Sequence, residues 1–218
     1  MEVEIADRPS FAHLRVRLAA GEKIIGESGS MASMTTGIEL KPRLNGGFVK
    51  GMARKFLGGE TLFINEYVAP KGGEIVLTQP CPGDVECVTL RDEEFFLQPG
   101  AFLACEPGVN LGLAFAGFTS FITREGLFRM RASGTGRLWF GAFGGILERT
   151  VTDELVVDSG HLVAYDTSVQ LELGLAGGVF SSFFGGEGFI ARVRGPGRIW
   201  LQTRSINGFT GWTNGYLL

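Results

Sequence analysis

The chain is poor in the residues that most often carry chemistry, with 2 histidines and 3 cysteines in 218 residues. Cys81, Cys87 and Cys105 are odd in number and form no C-x-x-C pair, which argues against a disulfide framework or zinc site and predicts reduced thiols. His13 and His161 lie far apart, and neither has a ligand-type partner two or four residues away. Basic charge is not in excess: 20 Lys and Arg against 23 Asp and Glu give a formal net charge of −3. That balance excludes DNA as the expected partner and disfavours RNA, because such binding rests on phosphate neutralisation. The longest uncharged run, Pro107 to Thr123, is short for a spanning helix and is broken by three glycines. The first residues, Met-Glu-Val-Glu-Ile-Ala-Asp, have neither a basic n-region nor an apolar h-region, so no signal or transit peptide is expected there and a cytoplasmic location is.

Catalytic signatures are missing as well. There is no G-x-S-x-G elbow, Walker loop or strand-turn-helix G-x-G-x-x-G, so a non-enzyme with no cofactor is expected. Asp158-Ser159-Gly160-His161 superficially resembles a catalytic grouping, but the equivalent turn in the preceding repeat reads Gln98-Pro99-Gly100-Ala101. Asp and Ser at such a turn are expected to bond to local backbone amides.

What is abundant is glycine, 34 residues, roughly twice the usual ~7% and with no collagen period. Short runs rich in Val, Ile, Leu and Phe separate the glycines, as in many short strands joined by tight turns. Ala12-His-Leu-Arg-Val-Arg-Leu18 alternates apolar and polar, which predicts a strand with one buried face. Only Asn45 to Phe56, with Phe48, Met52 and Phe56 four apart, reads as helical. The expected class is all-β.

The pattern also repeats. Phe-x-x-x-Glu ends at Glu60, Glu125 and Glu187, 65 and 62 residues apart, and each Glu precedes a glycine turn: Lys71-Gly-Gly73, Gly134-Thr-Gly136 and Gly195-Pro-Gly197. These turns read as three copies of one hairpin. Upstream, Leu18-Ala-Ala-Gly21 matches Leu97-Gln-Pro-Gly100 and Val157-Asp-Ser-Gly160. The predicted organisation is three units, 1–91, 92–152 and 153–218, sharing one core because a single copy of that size buries too little surface. Unit one carries a basic insertion, residues 41–55, with five basic residues and no acidic one.

Two sets of residues are candidate sites. Glu60, Glu125 and Glu187 could ring a pseudo-threefold axis and hold a small ligand or cation, or else brace the hairpins, with Arg124, Arg137, Arg192, Arg198 and Arg204 as cross-strand partners. Lys50, Arg54 and Lys55 could touch a membrane surface or an acidic partner, or form a solvated lid. The Gly/Phe segments around Leu113 to Phe121 and Leu175 to Phe183 are apolar enough to suggest an interface covered in a closed oligomer.

The tripled pattern, with Gly29-Ser-Met31, Arg54-x-x-Leu-x-Gly-Glu60-x-Leu-Phe63, Pro82-Gly-Asp84, Val157-Asp-x-Gly-His-Leu-Val-Ala164 and Gly195-Pro-Gly-x-Ile-Trp-Leu-Gln202, resembles the AIM24 family over nearly the whole chain. The resemblance implies three tandem β-sandwich units similar to the subunit of the tryptophan RNA-binding attenuation protein, and a ring-like homotrimer. It implies no reaction. The expected function is a non-enzymatic oligomeric scaffold or interaction protein; the alternative is a ligand-binding or metal-binding module at the pseudo-threefold axis.

Overall fold

Alternation decides the first strands. Leu14, Val16 and Leu18 are buried while Arg15 and Arg17 point outward, so the segment His13–Leu18 is a strand with one face on the core. The computed structural model describes residues 1–44, 63–115, 128–175 and 189–216. Seventeen strands lie in these segments: β1 (Glu2–Ala6), β2 (His13–Leu18), β3 (Lys23–Glu27), β4 (Met31–Met34), β5 (Glu39–Leu44), β6 (Phe63–Val68), β7 (Gly73–Thr78), β8 (Val85–Leu97), β9 (Phe102–Cys105), β10 (Val109–Phe115), β11 (Phe128–Gly141), β12 (Ile146–Val151), β13 (Glu154–Asp158), β14 (Leu162–Asp166), β15 (Gln170–Leu175), β16 (Phe189–Arg194) and β17 (Gly197–Gln202). A helix, α1 (Ile206–Asn214), follows. The protein is all-β, as its composition implies. The expected helix at Asn45–Phe56 lies outside the described residues, and α1 instead occupies the glycine-rich tail, capped by the Ser205 hydroxyl accepting from the Gly208 N–H.

The strands form three sheets. One runs β1-β2-β7-β4, the largest runs β12-β17-β14-β8-β11-β9-β3-β6-β5 with β10 added beside β11, and the third runs β13-β16-β15. Every strand pair is antiparallel. The pairing order recurs along the chain. β6 lies between β3 and β5, the first half of β11 between β8 and β10, and β16 between β13 and β15.

The glycine turns are corners, not the hairpins that the repeat suggests. β6 and β7 flank the Lys71-Gly-Gly turn but enter different sheets, and so do β16 and β17 around Gly195-Pro-Gly. Between them in sequence, β11 runs unbroken through Gly134 and Gly136, whose φ of 106° and 146° bend it where its register on β8 shifts. Glycine tolerates that bend, and a bent strand passes from one layer to the next instead of folding back on itself. The upstream match of unit one also differs from its sequence register. Leu18 pairs in β7, whereas Leu97 and Val157 pair with the first half of β11 and with β16. β3 is the unit-one strand paired like the segments holding Leu97 and Val157.

Three apolar clusters fill the layers. Under the first sheet Leu14, Val16, Ile75 and Leu77 meet Tyr67, Leu103 and Trp139. The central cluster is built on Phe95, Phe140 and Trp200, whose ring centroids lie 5.1 to 5.9 Å apart. The third holds Val157, Tyr165, Val193 and Ile199. β8 passes through residue 91, where the first unit was expected to end, with Asp92 at a φ of 61° opposite the β11 bend.

Candidate functional site

The residues singled out by sequence divide by whether the structure describes them. Glu60, Glu125 and Glu187, and the basic set Lys50, Arg54 and Lys55, lie outside the described residues. Of the arginines offered as partners of those glutamates, Arg124 also lies outside the described residues, and the other four have partners of their own: Arg137 with Glu106, Arg192 with Glu154 and Arg198 with Asp166, while Arg204 donates to the Thr203 carbonyl. Arg192 and Arg194 share Glu154, and hydrogen bonds from Arg194 and then Arg192 hold that carboxyl below its usual range.

Asp158-Ser-Gly-His161 is a capped turn. Ser159–His161 is one turn of 3₁₀ helix, and the Asp158 carboxylate accepts from the Gly160 N–H at 2.8 Å. The His161 Nδ1 sits 2.7 Å from the Gln202 carbonyl, so Nδ1 carries the proton and donates, and the Gln202 amide in turn donates to the Gly160 carbonyl at 2.9 Å. Imidazole and carboxylate thus each brace backbone and tie the turn to β17.

A concavity lies elsewhere, between β8 and β17. β14 separates them but pairs with β8 only at Phe95–Leu97, and, among the described residues, 85–90 of β8 pair with β11 alone. The resulting cavity has a volume of about 160 Å³. Its floor is apolar, with Phe95, Leu90 and Trp200 buried; Trp200 is 1% exposed. Its rim is acidic, with Glu86, Glu93, Glu94, Glu148 and Asp166 around the single cation Arg198.

Most of that rim is already paired. Arg8 reaches Glu86, Arg131 reaches Glu94, and Arg198 closes both its Nε and Nη2 on Asp166 at 3.0 and 3.2 Å. Asp166 also accepts from the Arg198 backbone N–H, and these bonds raise the Arg198 pKa above its ordinary value despite partial burial. Among the described residues Glu93 and Glu148 form no ion pair or side-chain hydrogen bond, although the field of each reaches Arg198. The Trp200 indole Nε1 is buried without an acceptor.

Cys87 also lines this cavity, but not as a nucleophile. Burial pushes its thiol up to about 11, with only partial opposition from Arg137, and burial raises Cys105 further. At pH 8 Cys87 is thus almost entirely protonated, and its alkylation by iodoacetamide is expected to be roughly two orders of magnitude slower than that of an unperturbed cysteine. A rate matching a free thiol would show that the cavity opens to bulk water.

Sequence reasoning missed Glu93, Glu148 and Trp200. The available signal was the recurrence of Arg-x-Trp at Arg137 to Trp139 and Arg198 to Trp200. In each, the guanidinium stacks on the indole, at 5.1 and 4.9 Å, and binds a carboxylate, Glu106 or Asp166.

With this architecture in place, the relationships are clear. The family model described as mitochondrial biogenesis AIM24 matches residues 3–204. The chain belongs to the AIM24 family. An AIM24-family chain of this length has a relative in Streptococcus pyogenes serotype M6, named only as an uncharacterised protein, 28% identical over 221 residues and covering 95% of this chain and 87% of that one. A crystal structure of a Streptococcus pyogenes protein has a TM-score of 0.82 to this chain, at 26% identity, covering 99% of each. The AIM24 match stops before α1, so the family model does not describe the helix. Among the described residues no group of His, Cys, Asp and Glu is placed to hold a metal, and no helix is long and apolar enough to cross a membrane.

Proposed function

We propose that this AIM24-family protein is a non-enzymatic scaffold that self-associates, as a homotrimer of three-unit chains, and presents surfaces to a partner. The observation that carries this reading is α1. It is nine residues long, carries no charge, and buries none of its residues. Phe209 touches Phe143 at a centroid distance of 5.6 Å, yet Phe209 remains 49% exposed, Trp212 62% and Tyr216 76%. A helix this short with two internal glycines is not stable in water on its own propensity, so an exposed aromatic stripe on it calls for a covering surface. Leu155 and Val156 on β13 add exposed apolar surface at a sheet edge. The recurrent pairing order supports three related units.

In this reading another copy of the chain covers the stripe. The double variant Phe209→Ser with Trp212→Ser is expected to reduce the mass in sizing with light scattering from an oligomer to a monomer at micromolar concentration, with unchanged far-ultraviolet circular dichroism of the β body. An oligomer unaffected by both changes would remove α1 from the interface. No described residue favours the alternative of a ligand at a pseudo-threefold axis, because all three glutamates of that reading lie outside the described segments.

A further inference from the structure

We propose that β4 and β13 are the two halves of one interface, so that β4 of one copy of this chain adds as a strand to β13 of the next, head to tail. The proposal rests on the self-association put forward above and names the surfaces that make it.

The repeat supplies the argument. One strand follows each glycine turn, β7, the second half of β11 and β17, and these pair with β4, β9 and β14. All three ladders slip at the same step, from Met31 to Ser33, from Phe102 to Ala104 and from Leu162 to Ala164. At the end of each partner strand a side-chain oxygen repeats one bond as well. Thr35, Glu106 and Asp166 accept from the backbone N–H of Glu74, Arg137 and Arg198 at 2.9, 2.8 and 2.9 Å. β4, β9 and β14 are therefore equivalent.

Two of the three continue into another unit. β9 pairs onward with β3, and β14 with the second half of β8, which joins each unit to the one before it. β3, the second half of β8 and β13 are themselves equivalent, since they lie beside β6, the first half of β11 and β16. The largest sheet contains both junctions. The two smaller sheets are the halves left over: among the described residues β4 ends one of them with no onward strand, and β13 ends the other with none received.

Burial marks the same two edges independently of hydrogen bonding. Every residue of β9 is buried, as is β14 from Leu162 to Tyr165, whereas every residue of β4 is exposed, Met34 by 36%. On the opposing strands Ile24, Ile25 and Phe95 are buried, whereas Leu155 and Val156, at the matching places on β13, are exposed, Val156 by 52%. Apolar side chains on a strand edge are a template for another strand. Each edge lacks what the other offers.

The internal junctions also set the register. Cys105 faces Ile25 and Tyr165 faces Phe96. Met34 holds the place of Cys105 and Tyr165, each lying opposite the same position of the following strand, Ile75, Leu138 or Ile199. Val156 holds the place of Phe96, because Leu97 and Val157 match. Met34 of one copy therefore faces Val156 of the next, and Ser33 faces Val157. The two edges differ, so the contact is heterologous, and a closed ring of copies uses every edge.

The test is cross-linking in the full chain. Directly opposite residues of an antiparallel pair bring their Cβ atoms to about 4.5–5.5 Å, close enough for a disulfide after a small adjustment. The double variant Met34→Cys with Val156→Cys, oxidised with copper phenanthroline at micromolar concentration, is expected to give a covalent ladder up to the oligomer on a denaturing gel. Either single variant is expected to stay at the monomer, against a background set by the wild-type chain with its own Cys81 and Cys87. In a second variant, Met34→Lys with Val156→Lys, like charges stand opposite each other at exposed positions, and the native mass is expected to fall from oligomer to monomer. An oligomer that gives no ladder, a disulfide closed within one chain, or an oligomer indifferent to both lysines would each overturn this pairing while self-association stands. A wild-type chain that is monomeric in native mass spectrometry would remove self-association and the pairing together.

Discussion

Trp200→Ala is expected to lower the free energy of unfolding by about 3–5 kcal/mol, as truncation of a large buried aromatic does. Trp200 sits edge-on to Phe95 at 5.1 Å and to Phe140 at 5.9 Å, and Arg198 covers another part of its ring. All four side chains belong to strands of the largest sheet, β8, β11 and β17, so nothing nearby is free to collapse into the space. The internal control is Trp212→Ala on α1, where the ring is mostly exposed and the loss in a single chain should stay within about 0.5 kcal/mol. Chemical denaturation of both variants checks the pair. Equal losses would mean that Trp200 is not at the centre of the core.

Gly83→Ala is expected to be at least as damaging, with a loss of about 3 kcal/mol or more, or failure to accumulate folded protein. A Cβ there would lie 1.9 Å from the Ala142 carbonyl oxygen and 2.7 Å from the Gly144 nitrogen, both backbone atoms. Neither can retreat. Pro82 O accepts from Gly144 N–H at 3.0 Å, Gly144 O from Asp84 N–H at 2.8 Å, and Asp84 O from Ala142 N–H at 3.0 Å. Below this lashing the buried Asp84 carboxylate takes Nε and Nη2 of Arg8 at 2.8 and 2.9 Å, and Gly83 O holds the Ala12 N–H. The segment before β8 is thereby tied to the segment before β12 and to the start of β2. Gly100→Ala offers the contrast: its φ is 80° but nothing stands within 4 Å, so only local strain of about 1 kcal/mol is expected. A Gly83→Ala protein as stable as Gly100→Ala would contradict the close approach.

The parts of the fold legible in the sequence are those fixed by neighbours along the chain. Strict alternation from Ala12 to Leu18 marked β2 and its buried face, and the glycine turns marked where strands bend. Partner choice was not legible, because a glycine pair that lets the chain turn back also lets it cross to another sheet. Only contacts with remote strands decide between them, as β3 and β5 do for β6, and β2 and β4 for β7. The same limit explains the register of unit one, where Leu18-Ala-Ala-Gly21 looks like Leu97-Gln-Pro-Gly100 in local chemistry yet precedes a strand with different partners. α1 was hidden by Gly208 and Gly211, which each cost a helix about 1 kcal/mol of propensity, and is fixed by Ser205 and by Phe143 from a distant turn. The cavity was the least legible feature. Glu93, Glu148, Asp166 and Trp200 come from β8, β12, β14 and β17, and no spacing in the sequence reports that four strands bring them together.

The scaffold reading stands or falls on self-association, and native mass spectrometry of the full chain, gently purified at micromolar concentration, measures it most directly. The account predicts a homotrimer of the 23.5 kDa chain. A monomer as the dominant species, with α1 intact, would contradict it.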